Sequence, residues 1–136
     1  MSIAQRGKMT NLTLSFTFRD DEDMIDLMLI HPILLWIFAD INMWAYERAL
    51  PVVITRVVDE RIEGVSKTDI HKDGRAIDIS LRGWQEPDIK EVVYIFNAKY
   101  SEMYGAFSLS DNQPRLIPDV DHGTAPHLHI QIRRFQ

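Results

Sequence analysis

The sequence predicts an α+β domain, a small sheet packed against about three helices, on three observations. Several short segments alternate apolar and polar residues with period two. Two longer segments repeat apolar residues at three- and four-residue spacing, and prolines or glycines stand at the junctions between the two kinds of segment. With 136 residues, 46% of them hydrophobic, residues 1–136 are expected to form one domain with a core of its own.

Asn11 to Phe18 alternates apolar with small polar residues and reads as a strand with one buried face. The acidic stretch Asp20 to Asp23 suits a helix start, where carboxylates complement the positive end of the dipole. A short helix from about Glu22 to Ile30 stops before Pro32, because the residue preceding a proline disfavours the α region. His31 therefore reads as a helix-boundary residue. A second helix from about Pro32 to Ala49 has Leu34, Ile37, Phe38, Ile41, Trp44 and Ala45 as its core stripe, with Asp40, Glu47 and Arg48 exposed. Leu35, Trp36 and Met43 exceed what one face can bury. Either that helix is central and buries them, or it offers a contact surface.

Pro51 to Val58 is β-branched almost throughout and reads as a strand; Asp59 to Asp69 is polar and reads as a loop. The next strand runs from Ala76 and ends by Arg82-Gly83-Trp84. A third helix from about Pro87 to Tyr104 has proline in its first turn, Gly105 as its stop, and a stripe of Ile89, Val92, Val93, Phe96, Tyr100 and Met103. Ala106 to Leu109 reads as a short strand, and Asp111 to Ala125 as a long loop leading to the last strand.

A formal net charge of −5 with no basic cluster does not support an electrostatic nucleic-acid footprint. The absence of cysteine removes disulfides, thiolate metal sites and cysteine nucleophiles together. No apolar segment with a small-residue cleavage site follows Met1 to Thr10, so no secretory signal is expected there. The longest uncharged run, Leu27 to Ala39, is interrupted by His31-Pro32 and falls short of the roughly 20 residues needed to span a bilayer, which argues against a holin-like membrane protein.

Two stretches carry chemistry. In the first, His71 to Gly74 forms a turn and the following strand buries Ile77 and Ile79, turning Asp78 to the other face beside the small Ala76. Gly74 permits the sharp turn that would bring His71 back over Asp78. In the second, Leu128, Ile130 and Ile132 form a buried face and leave His127, His129 and Gln131 opposite, the two histidines roughly 6.6 Å apart along the strand. Catalytic zinc commonly takes three ligands from His, Asp and Glu and keeps a fourth position for water. His71, Asp78 and His129 would supply such a set.

A histidine seven residues before an aspartate, followed far downstream by His-x-His, resembles the superfamily that joins lysostaphin-type peptidases, D-Ala-D-Ala metallopeptidases and the hedgehog signalling domain. The form His71-x-x-Gly74-x-Ala76-x-Asp78 is similar to the signature of its zinc D-Ala-D-Ala carboxypeptidase and L-Ala-D-Glu endopeptidase branch, which bacterial and bacteriophage cell-wall peptidases populate. The matching residues run from about Val52 to Ile132. The resemblance implies a hedgehog/D-Ala-D-Ala peptidase-like fold with an antiparallel sheet, a Zn²⁺ cofactor and a peptidoglycan stem peptide as substrate. It also implies action on the cell wall, as a phage lysin or virion-associated lytic protein or in the periplasm.

Zinc held by two imidazoles and one carboxylate lowers the pKa of its bound water toward ~7 and polarises a carbonyl oxygen, which suits amide hydrolysis. The family often supplies the base as a glutamate three residues before the last histidine or a few residues further upstream. Here those positions are Pro126 and Gly123, a departure from the pattern. The resemblance then leaves His127 as the base or oxyanion-stabilising group, with Asp121 and His122 in reserve on the adjoining loop. The alternative for Asp121-His122-Gly123 is a turn in which Asp121 bonds the local backbone. Arg56 resembles the arginine that grips a peptide carboxylate in these enzymes, a task suited to a bidentate donor; otherwise it is a surface arginine on an edge strand. Asp69 stands where the family usually has serine, and either orients His71 or faces solvent. Arg75 occupies a variable position at the surface. The competing function is a metal-binding assembly or binding module of the same fold without catalysis.

Overall fold

The computed structural model describes residues 16–21, 27, 30–57, 74–108 and 111–134. Among them, β1 (Phe16–Phe18), β2 (Val52–Arg56), β3 (Ala76–Ser80), β6 (Val120–Asp121) and β7 (His127–Gln131) form one sheet in the order β1-β2-β3-β7-β6. β4 (Ala106–Phe107) and β5 (Pro114–Arg115) form a separate two-stranded ribbon. Two helices, α1 (Pro32–Glu47) and α2 (Glu86–Tyr104), complete the described architecture, which is α+β. The sheet is mixed where an antiparallel one was expected: β1 lies parallel to β2, and every other neighbouring pair is antiparallel. Parallel pairing needs a long connection between the strands, and the chain through α1 provides one. The expected helix from Glu22 to Ile30 lies outside the described residues apart from Leu27 and Ile30, as do the Asp59 to Asp69 loop and residues 11–15.

α1 begins where the proline argument puts it. His31 is the N-cap, its Nδ1 accepting from the Ile33 amide at 3.1 Å, and Pro32 occupies the first turn, where a missing N–H costs nothing. The predicted stripe is buried: Leu34, Ile37, Phe38, Ile41, Trp44 and Ala45, with Asn42 beside it. These residues pack with Ile54, Ile77, Ile79, Leu128 and Ile130 from one face of the sheet in a single cluster, and the α2 residues Ile89, Val92, Phe96 and Tyr100 join it. Of the two readings of α1, the central one is overturned. Leu35, Trp36 and Met43 are exposed because only one side of the helix meets the sheet and α2. Trp36 is partly accounted for by edge contacts with Tyr100 and Tyr104, at ring separations of 5.9 and 6.3 Å. Met103, expected in the α2 stripe, is exposed too, and Ser101 is buried.

The expected loop from Asp111 to Ala125 contains two strands, β5 and β6, too short at two residues each to show a period. Polar side chains of α2 hold the segment between them. Asn97 donates to the Ile117 carbonyl at 3.0 Å and accepts from its amide at 2.8 Å, and Ser101 Oγ accepts from the Leu116 amide at 2.9 Å. Gly105 is fixed by close approach, since a Cβ there would lie 2.7 Å from the Arg115 backbone.

Candidate functional site

The sheet has one apolar face against the helices and one polar face. Antiparallel pairing of β3 with β7 sets Ile77 opposite Ile130 and Ile79 opposite Leu128, so the residues between them must oppose each other on the other face. Asp78 pairs with His129 and Ser80 with His127. The outcome is a direct contact: His129 Nδ1 lies 2.7 Å from Asp78 Oδ1, both residues being largely buried. His129 Nε2 lies 3.2 Å from Gln131 Oε1.

A carboxylate and an imidazole are donor types that zinc takes. Two ligands on one tetrahedral zinc at about 2.0–2.1 Å each stand roughly 3.3 Å apart, so the pair would open by about 0.6 Å, within the reach of side-chain torsions. Asp78 and His129 would hold such an ion. No group of three or more His, Cys, Asp or Glu side chains gathers as a metal site among the described residues, and His71, the third expected ligand, lies outside them, as does Asp69. Gly74, at φ 68°, makes the turn entering β3, and its carbonyl accepts from the His31 amide at 2.9 Å.

The second pair lies toward the sheet edge. β6 pairs with β7, Asp121 opposite His127, with Asp121 Oδ2 3.7 Å from His127 Nδ1. His127 Nδ1 is also 3.1 Å from the Ala125 carbonyl. A carbonyl oxygen can only accept, so Nδ1 carries the hydrogen and the lone pair of the neutral ring sits on Nε2. His127 thus holds the tautomer a base requires. Asp121 adopts the local turn as well: its Oδ1 accepts from the Gly123 amide at 2.7 Å. His122 is exposed in that turn, outside the residues that line the cleft described next.

Asp78, Ser80 and His127 form part of the wall of an open cleft of about 920 Å³. Arg56 lines it through a change of register. Ile54 pairs with Ile79 but Arg56 pairs with Asp78, so two residues of β2 span one of β3. Simple alternation would have sent Arg56 to the Ile54 face; the bulge sends it to the Asp78 face. Arg19 and Arg82 also line the cleft, anchored by the Thr55 carbonyl at 2.9 Å and the Thr124 carbonyl at 3.4 Å. Three arginines line the cleft together with three aspartates, Asp20, Asp78 and Asp121, so its charges balance and what it offers a carboxylate-bearing ligand is bidentate donors rather than a net positive field.

No protein-family model, curated protein or solved structure matches this chain. The geometry therefore carries the functional argument.

Sequence reasoning did not single out Arg19, Arg82, Ser80 or Gln131. Parity gave a signal for two of them, since Ser80 shares a face with Asp78 and Gln131 with His129. Arg19 and Arg82 sit beyond strand ends, where no period runs. Arg75, expected at the surface, is half-buried and donates to the Ile132 carbonyl at 3.4 Å.

Proposed function

We propose that the chain is a zinc-dependent peptidase that hydrolyses a short carboxylate-bearing peptide, the stem peptide of peptidoglycan, on a hedgehog/D-Ala-D-Ala peptidase-like fold. One observation carries the reading: Asp78 and His129, from strands far apart in sequence, meet at 2.7 Å on the polar face of the sheet, and Asp78 lines the cleft that Arg56 and His127 also line. Asp78, His129 and His71 are the proposed ligands. Zinc, when bound, supplies Lewis acidity toward a carbonyl oxygen and acidifies water.

The chain's own residues do the rest. His127 accepts a proton at Nε2, and its Nδ1–H stays on the Ala125 carbonyl. Asp121 Oδ2 lies 3.7 Å from that Nδ1, on the side away from the accepting nitrogen. Arg56, which lines the cleft beside Asp78, holds a substrate carboxylate.

The test is incubation of purified protein with cell-wall peptides, with a chelator and again after zinc is restored, with fragments identified by mass. Chelator-sensitive cleavage is expected; cleavage indifferent to chelation overturns the reading. A second reading, a metal-holding assembly module without turnover, is favoured by the exposed Leu35, Trp36 and Met43 on α1 and by Pro126 and Gly123 at the expected glutamate positions. Zinc uptake without any cleaved peptide would select it. No helix among the described residues is long and apolar enough to cross a membrane.

A further inference from the structure

We infer that Arg82 is a specificity-determining residue of the cleft, which binds a second substrate carboxylate at the opposite end from Arg56. This rests on the peptidase reading above and names its substrate class: a short peptide with one carboxylate on each side of the bond that is cut.

The cleft's charges match in number but not in place. Arg19 is paired with Asp20 at 3.2 Å, Asp78 meets His129, and Asp121 accepts from the Gly123 amide beside His127. Arg82 has no carboxylate partner among the described residues. Its side-chain hydrogen bond there runs to the Thr124 carbonyl, at 3.4 Å, and engages one terminal nitrogen. The rest of the fork is left for a ligand, and a carboxylate is the group that a planar fork of N–H donors fits.

The turn that carries this exposed side chain is tied down on both sides. Leu81 and Trp84 are buried; the Leu81 amide donates to the Pro126 carbonyl at 2.9 Å, and the Trp84 amide and indole donate to the Leu81 and Pro51 carbonyls at 3.0 and 2.7 Å. Between them Gly83 adopts φ 87°, where a side chain would be strained and a Cβ would meet Pro51 at 3.2 Å. The Arg82 amide donates to Ser80 Oγ at 3.2 Å. An arginine on a backbone held this way loses little freedom on binding.

Register sets the spacing. Arg56 is paired with Asp78, and His127 is paired with Ser80, two residues further along β3. Arg82 comes two residues later, tied to the loop that leads into His127. Arg56 thus stands at the Asp78 end of the cleft and Arg82 at the His127 end. From Asp78 to Leu81 the chain advances roughly 10 Å at about 3.3 Å per residue, a span that about three residues of an extended peptide cover.

The test is binding of four synthetic peptides to the full chain, by isothermal titration with and without zinc. Each is trialanine with a succinyl or an acetyl group at its N-terminus and a free carboxylate or an amide at its C-terminus. Succinyl peptides are expected to bind about tenfold more tightly than acetyl peptides, and added salt should shrink the ratio. Arg82→Gln should bring that ratio to about one and leave the preference for a C-terminal carboxylate untouched, and Arg56→Gln should do the reverse. A succinyl preference that survives in Arg82→Gln overturns the inference, as does a loss shared equally by all four peptides, because a folding role alone would give that. Equal binding of succinyl and acetyl peptides by the wild-type chain overturns it too. Succinyl selectivity without cleavage of any peptide overturns the peptidase reading and leaves the Arg82 carboxylate site standing.

Discussion

β7 carries two imidazole–carboxylate pairs two residues apart, built from the same residue types and differing in nearly everything else. The inner pair, His129 with Asp78, joins two neighbouring strands inside the sheet at 2.7 Å, with side chains only 23% and 10% exposed. The outer pair, His127 with Asp121, uses the short edge strand β6 at 3.7 Å, with side chains 32% and 53% exposed. Burial makes a charge expensive unless it is shared, so the inner pair suits a site that holds a cation. The outer ring lines the open cleft, where a substrate can reach it, which suits a base. On the proposed reading, position in the sheet divides holding from proton transfer between two histidines of one strand.

Removing the inner histidine is the most severe way to break this division. His129→Ala leaves the buried Asp78 carboxylate without its ring partner, and a loss of about 2–3 kcal/mol in unfolding free energy is expected by urea denaturation of the metal-free protein. Zinc binding should fall below detection in competition with a chromophoric chelator. A midpoint like that of wild type would show that the inner pair contributes nothing to the fold. His127→Ala should instead leave stability within about 0.5 kcal/mol, as surface substitutions do. It should keep zinc affinity and lower kcat by about 10²- to 10⁴-fold, the range for loss of a general acid–base group. If zinc affinity falls with kcat, His127 belongs to the inner pair's task and the division fails.

Asp121 sharpens the same contrast, because it has two roles that chemistry can part. Asp121→Asn retains an oxygen for the Gly123 amide but removes the charge facing His127; Asp121→Ala removes both. The turn is worth about 1 kcal/mol, so the alanine variant should lose that much in a thermal or urea melt and the asparagine variant should not. Both should lower kcat by similar, smaller factors than His127→Ala, of about tenfold. Should asparagine match wild-type turnover, the carboxylate serves the turn alone.

The inner pair was the more legible of the two in the sequence, for a physical reason. Period-two alternation in Ile77 to Leu81 and in Leu128 to Ile132 assigns each residue to a face, and two strands that bury the same kind of face must present Asp78, His127 and His129 together once they pair. The register that makes Asp78 meet His129 rather than His127 is a tertiary fact that alternation alone leaves open. Arg56 shows the limit of parity more sharply, because the bulge in β2 reverses the side that its position in the run would predict. β5 and β6 were read as loop because two residues cannot display a period, yet β6 positions Asp121 and β5 offers the carbonyl that orients Gln131. On α1 the stripe was legible residue by residue. The fate of Leu35, Trp36 and Met43 was not, because it depends on what the rest of the chain places over them.

A third carboxylate provides a control far from the cleft. Asp40 of α1 accepts from Tyr100 Oη at 2.5 Å and from Lys99 Nζ at 2.6 Å, tying α1 to α2. Partial burial pushes the Asp40 carboxyl up, but the hydrogen bonds from Lys99 and Tyr100 and the lysine charge together outweigh it. Its pKa settles below the ordinary 3.8. Burial and the Asp40 charge raise Tyr100 above 10.0, so its hydroxyl remains a donor throughout the neutral range. A depressed carboxyl contributes stability that is complete above its unfolded value and is lost as pH falls through the lower folded one. The urea midpoint of wild type should therefore exceed that of Asp40→Asn at neutral pH, by an amount that shrinks once pH drops below the ordinary carboxylate range and that added salt reduces. Tyr100→Phe should cost about 1 kcal/mol at neutral pH, for the loss of one hydrogen bond to a charged acceptor at a partly buried site. Neither substitution should change zinc affinity or kcat. If either did, stability and function would not be separable in this fold, and the contrast between the inner and outer pairs could not be read from single variants.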